Sequence, residues 1–191
     1  MKTISTIFRL SFAAALLLET QSLHAVPTAF EVIKEASRHV GEDAREKIVQ
    51  IRSEKSVGDL SPNIWYVVFY DPDATFKATE VKIGAGKKMD VKRPARVLEY
   101  LDADKVLDKQ KMTVDSDKAL QTATKEPLLE KLTLKASQMW LELRGGAPTW
   151  RVRLWAAKLK HPKDNVDIGE VFVSADDGKV VKIDLHINRV D

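Results

Sequence analysis

Trp150-Arg151-Val152-Arg153-Leu154-Trp155-Ala156 is the stretch on which the fold turns. Trp150, Val152, Leu154 and Ala156 occupy every second position, with Arg151 and Arg153 between them. Side chains of an extended chain point alternately to opposite faces, so this spacing describes a strand with one buried and one wet face. Strands of parallel sheets are covered on both faces and read as continuous apolar runs; alternation therefore points to an antiparallel sheet. The same geometry separates two tryptophans. Trp150 joins Val152 and Leu154 facing the core, while Trp155 shares the opposite face with Arg151 and Arg153.

The flanking segments extend the pattern. Downstream, Val181, Ile183, Leu185 and Ile187 alternate with Lys182, Asp184 and His186, so the first set is expected on a buried face. Asp176-Asp177-Gly178-Lys179 precedes them as a hairpin turn, with Gly178 supplying the positive φ that a tight turn requires. Upstream, Leu132, Leu134 and Ala136 alternate with Thr133 and Lys135, ahead of Gly145-Gly146. Further back, Asp115-Ser116-Asp117 offers capping side chains to a helix bearing Ala119, Leu120, Ala123 and Leu128, which Pro127 ends or bends. A helix followed by antiparallel strands is an α+β arrangement.

The first half repeats this plan. Glu31–Ala36 stands before Lys118–Ala123, Asn63–Val67 before Pro148–Val152, and Glu80–Ala85 before Glu170–Ala175, in the same order and 85 to 90 positions apart. That period is longer than the roughly 20–50 residues of solenoid repeats, so each copy is expected to be a unit with its own sheet. After Pro27-Thr28, residues Phe30, Ile33, Ala36 and Val40 line one helix face, with Gly41 as a stop. Strands are predicted at 47–55, Ile64–Tyr70, Phe76–Ile83 and Met89–Lys92. The expected organisation is two tandem units, each a helix on a curled antiparallel sheet: 26–93 and 114–191, with 94–113 connecting them. Val97, Leu98, Leu101, Val106 and Leu107 make that connection too apolar for a free linker.

The helix approach Asp115–Leu120, the strand Trp150-Arg151-Val152 and the closing hairpin Val171–Val180 resemble a PepSY-type unit. The resemblance covers 115–187 directly and 27–92 through the internal repeat. It implies a cystatin-like fold and an extracytoplasmic setting. By analogy with protease propeptides that carry such units, it also implies a partner that is a peptidase or an envelope component. Lys160–Asp167 departs from the family by lengthening a hairpin, and no peptidase domain accompanies the units.

The N-terminus has the three parts of a secretory signal: the charges of Lys2 and Arg9, the apolar run Phe12–Leu18, and Ser22-Leu23-His24-Ala25 ending on a small residue. Residues 1–25 are therefore expected to be a signal peptide cleaved after Ala25, making the protein periplasmic or secreted. The apolar run is too short to cross a bilayer, which needs roughly 20 residues, and no later segment is suited to a membrane span. A net formal charge of +3 without a concentrated basic stripe argues against a nucleic-acid partner.

Catalytic chemistry finds little support in these residues. With no cysteine, thiol catalysis and disulfides are excluded. His39, His161 and His186 form no pair at metal-binding helical spacing, and no strained nucleophile elbow is present. Asp71-Pro72-Asp73 and Asp176-Asp177-Gly178 read as turns rather than calcium loops, and Gly84-Ala85-Gly86-Lys87-Lys88 as a turn rather than a phosphate cradle. No catalytic, cofactor or metal residue is assigned, and the expectation is a non-enzymatic binding protein. The candidate contact residues are Trp155, Arg151, Arg153, Tyr66 and Tyr70, since aromatic and arginine side chains anchor interfaces. The alternative is a small-ligand carrier with an apolar pocket between helix and sheet, lined by Trp and Tyr.

Overall fold

The computed structural model describes residues 26–93 and 105–191. Residues 1–25, expected to be a signal peptide, and the connecting residues Val97, Leu98 and Leu101 lie outside the described residues. The chain opens with helix α1 (Ala29–Ala36), capped by the Thr28 hydroxyl, which accepts from the Glu31 amide while the Glu31 carboxylate accepts from the Thr28 amide. A 3-10 turn (Ser37–His39) and the short α2 (Glu42–Arg45) follow. Gly41, expected as a helix stop, instead takes an extended conformation and begins α2. Then come β1 (Ile48–Ser53), β2 (Ile64–Tyr70), β3 (Ala78–Gly84) and β4 (Lys87–Lys92). The second half gives α3 (Ser116–Thr124), β5 (Leu134–Arg144), β6 (Ala147–Ala157), β7 (Asn165–Ser174) and β8 (Val180–Leu185). Helix α3 stops ahead of Pro127, as a residue lacking an amide proton dictates.

All eight strands form one antiparallel sheet in the order β4-β3-β2-β1-β5-β6-β7-β8. The expectation of two separate sheets is replaced by one continuous sheet, because the exposed edges of β1 and β5 satisfy each other. That seam is short: only Ile51 with Leu141 and Arg52 with Trp140 are paired in register. Serines extend it. The Ser53 hydroxyl accepts from the Met139 amide, the Ser56 hydroxyl from the Ser137 amide, and the Ser56 amide donates to the Ser137 carbonyl.

The helices lie on one face of the sheet. Val32 and Ala36 of α1, Ala44 of α2, and Ala119 and Ala123 of α3 join one buried cluster with Ile51, Val67, Phe69, Leu141, Val152 and Leu154. At its centre Trp65 and Trp150 meet edge-to-face, 6.5 Å apart and inclined at 76°. Each indole nitrogen donates to a carbonyl, Trp65 to Pro62 and Trp150 to Val114, so neither buried donor is left unpaired. The N-termini of α1 and α3 also touch: the Ser116 hydroxyl accepts from the Ala29 amide and the Asp115 carboxylate from the Phe30 amide. Leu107 from the connecting segment is buried in this core, and its amide donates to the Ile48 carbonyl.

One strand departs from the expected pattern. Val181 and Ile183, placed on a buried face by their alternation, are 62% and 42% exposed. The β7–β8 register shifts between Phe172 and Val173, and α3 packs over β6 and β7 rather than over β8. Ile187 belongs to a closing 3-10 turn rather than to the strand, and Leu128, assigned to the apolar helix face, lies beyond α3 and is exposed.

Candidate binding surface

On the face of the sheet away from the helices, a transverse row of side chains crosses every strand. Starting at β4, strand register sets Asp90 beside Lys82, Lys82 beside Tyr66, and Tyr66 beside Arg52. The row crosses the seam from Arg52 to Trp140 and continues through Arg151, Phe172 and Lys182 to the far edge. Cation and ring alternate along seven of these eight positions. Opposed side chains in an antiparallel sheet are close enough to touch, and here they stack. The Arg52 guanidinium lies 4.2 Å from the Tyr66 ring centre, and that of Arg151 lies 4.2 Å from Trp140. The Lys82 ammonium stands 5.1 Å from Tyr66 and that of Lys182 5.5 Å from Phe172. Each such contact contributes about 0.5–1 kcal/mol where water has access, and the series holds long side chains in defined positions.

Carboxylates flank the row. Glu80 pairs with Arg52. Glu54 accepts from the Lys82 ammonium at 2.8 Å and from the Tyr66 hydroxyl. The hydrogen bond from Lys82, followed by that from Tyr66, holds the Glu54 carboxyl below the usual carboxylate range, and the same Glu54 contact pushes the Lys82 ammonium upward. Arg153 binds Asp167 with its Nε 2.8 Å from Oδ2.

Arg151 is the exception. Glu142 and Glu170 stand on either side at 3.9 and 3.8 Å, ion-pair distances at which no hydrogen bond forms. Its Nε is buried without a hydrogen-bond partner. Glu142 is meanwhile engaged by the Gln50 amide at 3.1 Å. The guanidinium at the middle of the second half thus keeps one buried donor without a hydrogen-bond partner, held between two carboxylates at ion-pair distance.

All five residues expected to make contacts lie on this face. Tyr66 and Arg151 belong to the row, and Arg153 stands beside it, facing Gln138 and Glu170. Tyr70 and Trp155 are not brought together: each sits four residues from the row, on β2 and β6, which run in opposite directions. Tyr70 has Lys47 5.9 Å from its ring, and Trp155 has Lys55 at 4.4 Å and Arg153 at 5.6 Å. The sequence reading missed Arg52, Trp140, Phe172 and Lys82 as members of the row. Alternation places each on the face away from the core, where Phe172 is itself buried beneath Arg144 and Lys182, but only strand register aligns them.

The remaining candidates resolve as structure. The Asp71 carboxylate accepts from the Thr79 hydroxyl and the Asp73 amide, so the Asp71–Asp73 cluster is a turn. Lys179 holds the Asp177 carboxyl down at about 2, in the hairpin where Gly178 has φ +73. Among the described residues no group of three or more His, Cys, Asp or Glu is placed to hold a metal ion, and no described helix is long and apolar enough to cross a membrane. An apolar groove of about 220 Å³ beside α1 is lined by Phe30, Ile33, Lys34, Ile48, Lys109 and Met112. Set against known protein families, characterised proteins and solved structures, the chain matches none of them.

Proposed function

We propose that this is a non-enzymatic binding protein that engages another protein through the helix-free face of its sheet. The observation that carries the reading is the row Lys82-Tyr66-Arg52-Trp140-Arg151-Phe172-Lys182, which no described element covers. Trp, Tyr and Arg are the side chains that dominate binding energy at protein interfaces. Stacking and flanking carboxylates fix them before contact, which lowers the entropy lost on association. The mixed charge of the face favours a protein partner over a polyanion, whose phosphates would demand a net basic surface.

The finer reading is a protein exported by residues 1–25 and built as two tandem PepSY-like units joined edge to edge, with a peptidase or envelope component as partner. Its support is the helix and four-strand meander in each half, the corresponding places of Trp65 and Trp150, and the signal-like N-terminus. The carrier alternative draws less support. The groove beside α1 falls short of the roughly 300–1,000 Å³ usual for ligand pockets, and neither Trp nor Tyr lines it.

The test is capture from an extracytoplasmic extract by the wild-type protein, and by Trp140→Ala and Arg151→Ala variants shown by circular dichroism to be folded. The expected result is a protein retained by the wild type and weakened by about 2 kcal/mol, roughly 30-fold, by either substitution. Retention equal in all three proteins, or no retained protein at all, would overturn the proposal.

A further inference from the structure

The rim of the sheet, rather than its face, carries a second and independent message. β8 ends the sheet, with no strand beyond it among the described residues. Its sequence, Val180-Val181-Lys182-Ile183-Asp184-Leu185, leaves Val181 and Ile183 exposed. Edge strands are normally blunted by charge, and β4 at the opposite rim obeys: Lys87, Lys88 and Lys92 lie among its six residues. β8 carries one lysine and one aspartate, two residues apart, their charged atoms 3.1 Å from each other within the strand.

We propose that β8 pairs with β8 of a second copy of this chain, antiparallel about a two-fold axis through Ile183, giving a sheet continuous across the dimer. The argument is complementarity in register. Opposed residues of an antiparallel pair share a face. Centring on Ile183 therefore sets Lys182 against Asp184 of the second copy, and Asp184 against its Lys182, on the helix-free face. On the other face Ile183 meets Ile183, and Val181 meets Leu185. Moving the centre one residue either way is blocked, because Lys182 would oppose Lys182, or Asp184 would oppose Asp184. One register is favoured and its same-face neighbours are penalised, as an isologous interface requires. The exposed Val181 and Ile183 would be covered in the same act.

Sedimentation equilibrium of the purified protein over a range of concentrations tests this. The wild type should show a monomer–dimer equilibrium. Lys182→Glu makes both charges of the edge acidic and Asp184→Lys makes both basic, so each variant alone should dimerise at least tenfold more weakly. Mixed in equal amounts, the two should form a heterodimer, since each acid then faces a lysine. The double variant Lys182→Glu/Asp184→Lys should recover the wild-type affinity. A wild type that stays monomeric at every concentration overturns the proposal and leaves the edge to a strand of another protein. Single variants that dimerise like the wild type, or a mixture that stays monomeric, overturn it equally.

Discussion

Two tryptophans five residues apart on β6 illustrate how position on a strand decides what a side chain does. Trp150 is fully buried against Trp65, with its nitrogen bonded to Val114, whereas Trp155 lies half-buried under Lys55. Trp150→Ala should lower the free energy of unfolding by about 3–5 kcal/mol in a denaturant titration, because it leaves a large cavity in a packed core. Trp155→Ala should cost well under half of that. A second residue-scale prediction concerns Glu54. Its carboxyl is held low in the folded state by Lys82 and Tyr66, so the stability it contributes is present above the unfolded value of about 4.3 and lost as pH falls through the lower folded value. Unfolding midpoints measured from pH 6 down to pH 3 should therefore fall more steeply for the wild type than for Glu54→Gln. Identical slopes would mean that the contact contributes nothing. The separation of Trp150 from Trp155 was legible in the sequence, because a two-residue period needs only local chain geometry. The row through Arg52, Trp140 and Phe172 was not, because these residues are distant in sequence and only register aligns them.

At the scale of elements, β2 matched its predicted span and β6 its alternation, and both are central strands whose neighbours enforce that alternation. β8 departed from its reading. Its apolar residues alternate as buried ones do, yet no helix lies over them, and hydropathy alone cannot distinguish a residue facing a core from one facing a gap in its cover. The hold of β7 on β8 depends on Gly169. That residue has φ +104, and a Cβ there would stand 2.1 Å from the Asp184 carbonyl oxygen. Gly169→Ala should thus be destabilising through both backbone strain and collision, and amide exchange should accelerate first in β8. Unchanged protection across Val180–Leu185 would contradict this account of the strand's attachment.

Over the whole molecule, the two halves share one core and one sheet, although the sequence had suggested units each with a sheet of its own. Chain composition shows how much apolar surface must be buried but not which edges will find one another, so the β1–β5 seam was beyond its reach. The shared core predicts one cooperative unfolding transition, with tryptophan fluorescence and far-ultraviolet circular dichroism changing together. Two separable transitions would show that the halves are energetically independent. The seam also bears on how the protein is made. β1 lies in the interior of the finished sheet, yet it leaves the ribosome long before its neighbour β5, which begins at Leu134. Until that later strand arrives, the nascent chain presents an unpaired hydrogen-bonding margin and a Trp65 lacking its aromatic companion. Synthesis therefore includes an interval of adhesiveness, and a chaperone able to shield an open strand during it would raise the yield of correctly joined molecules.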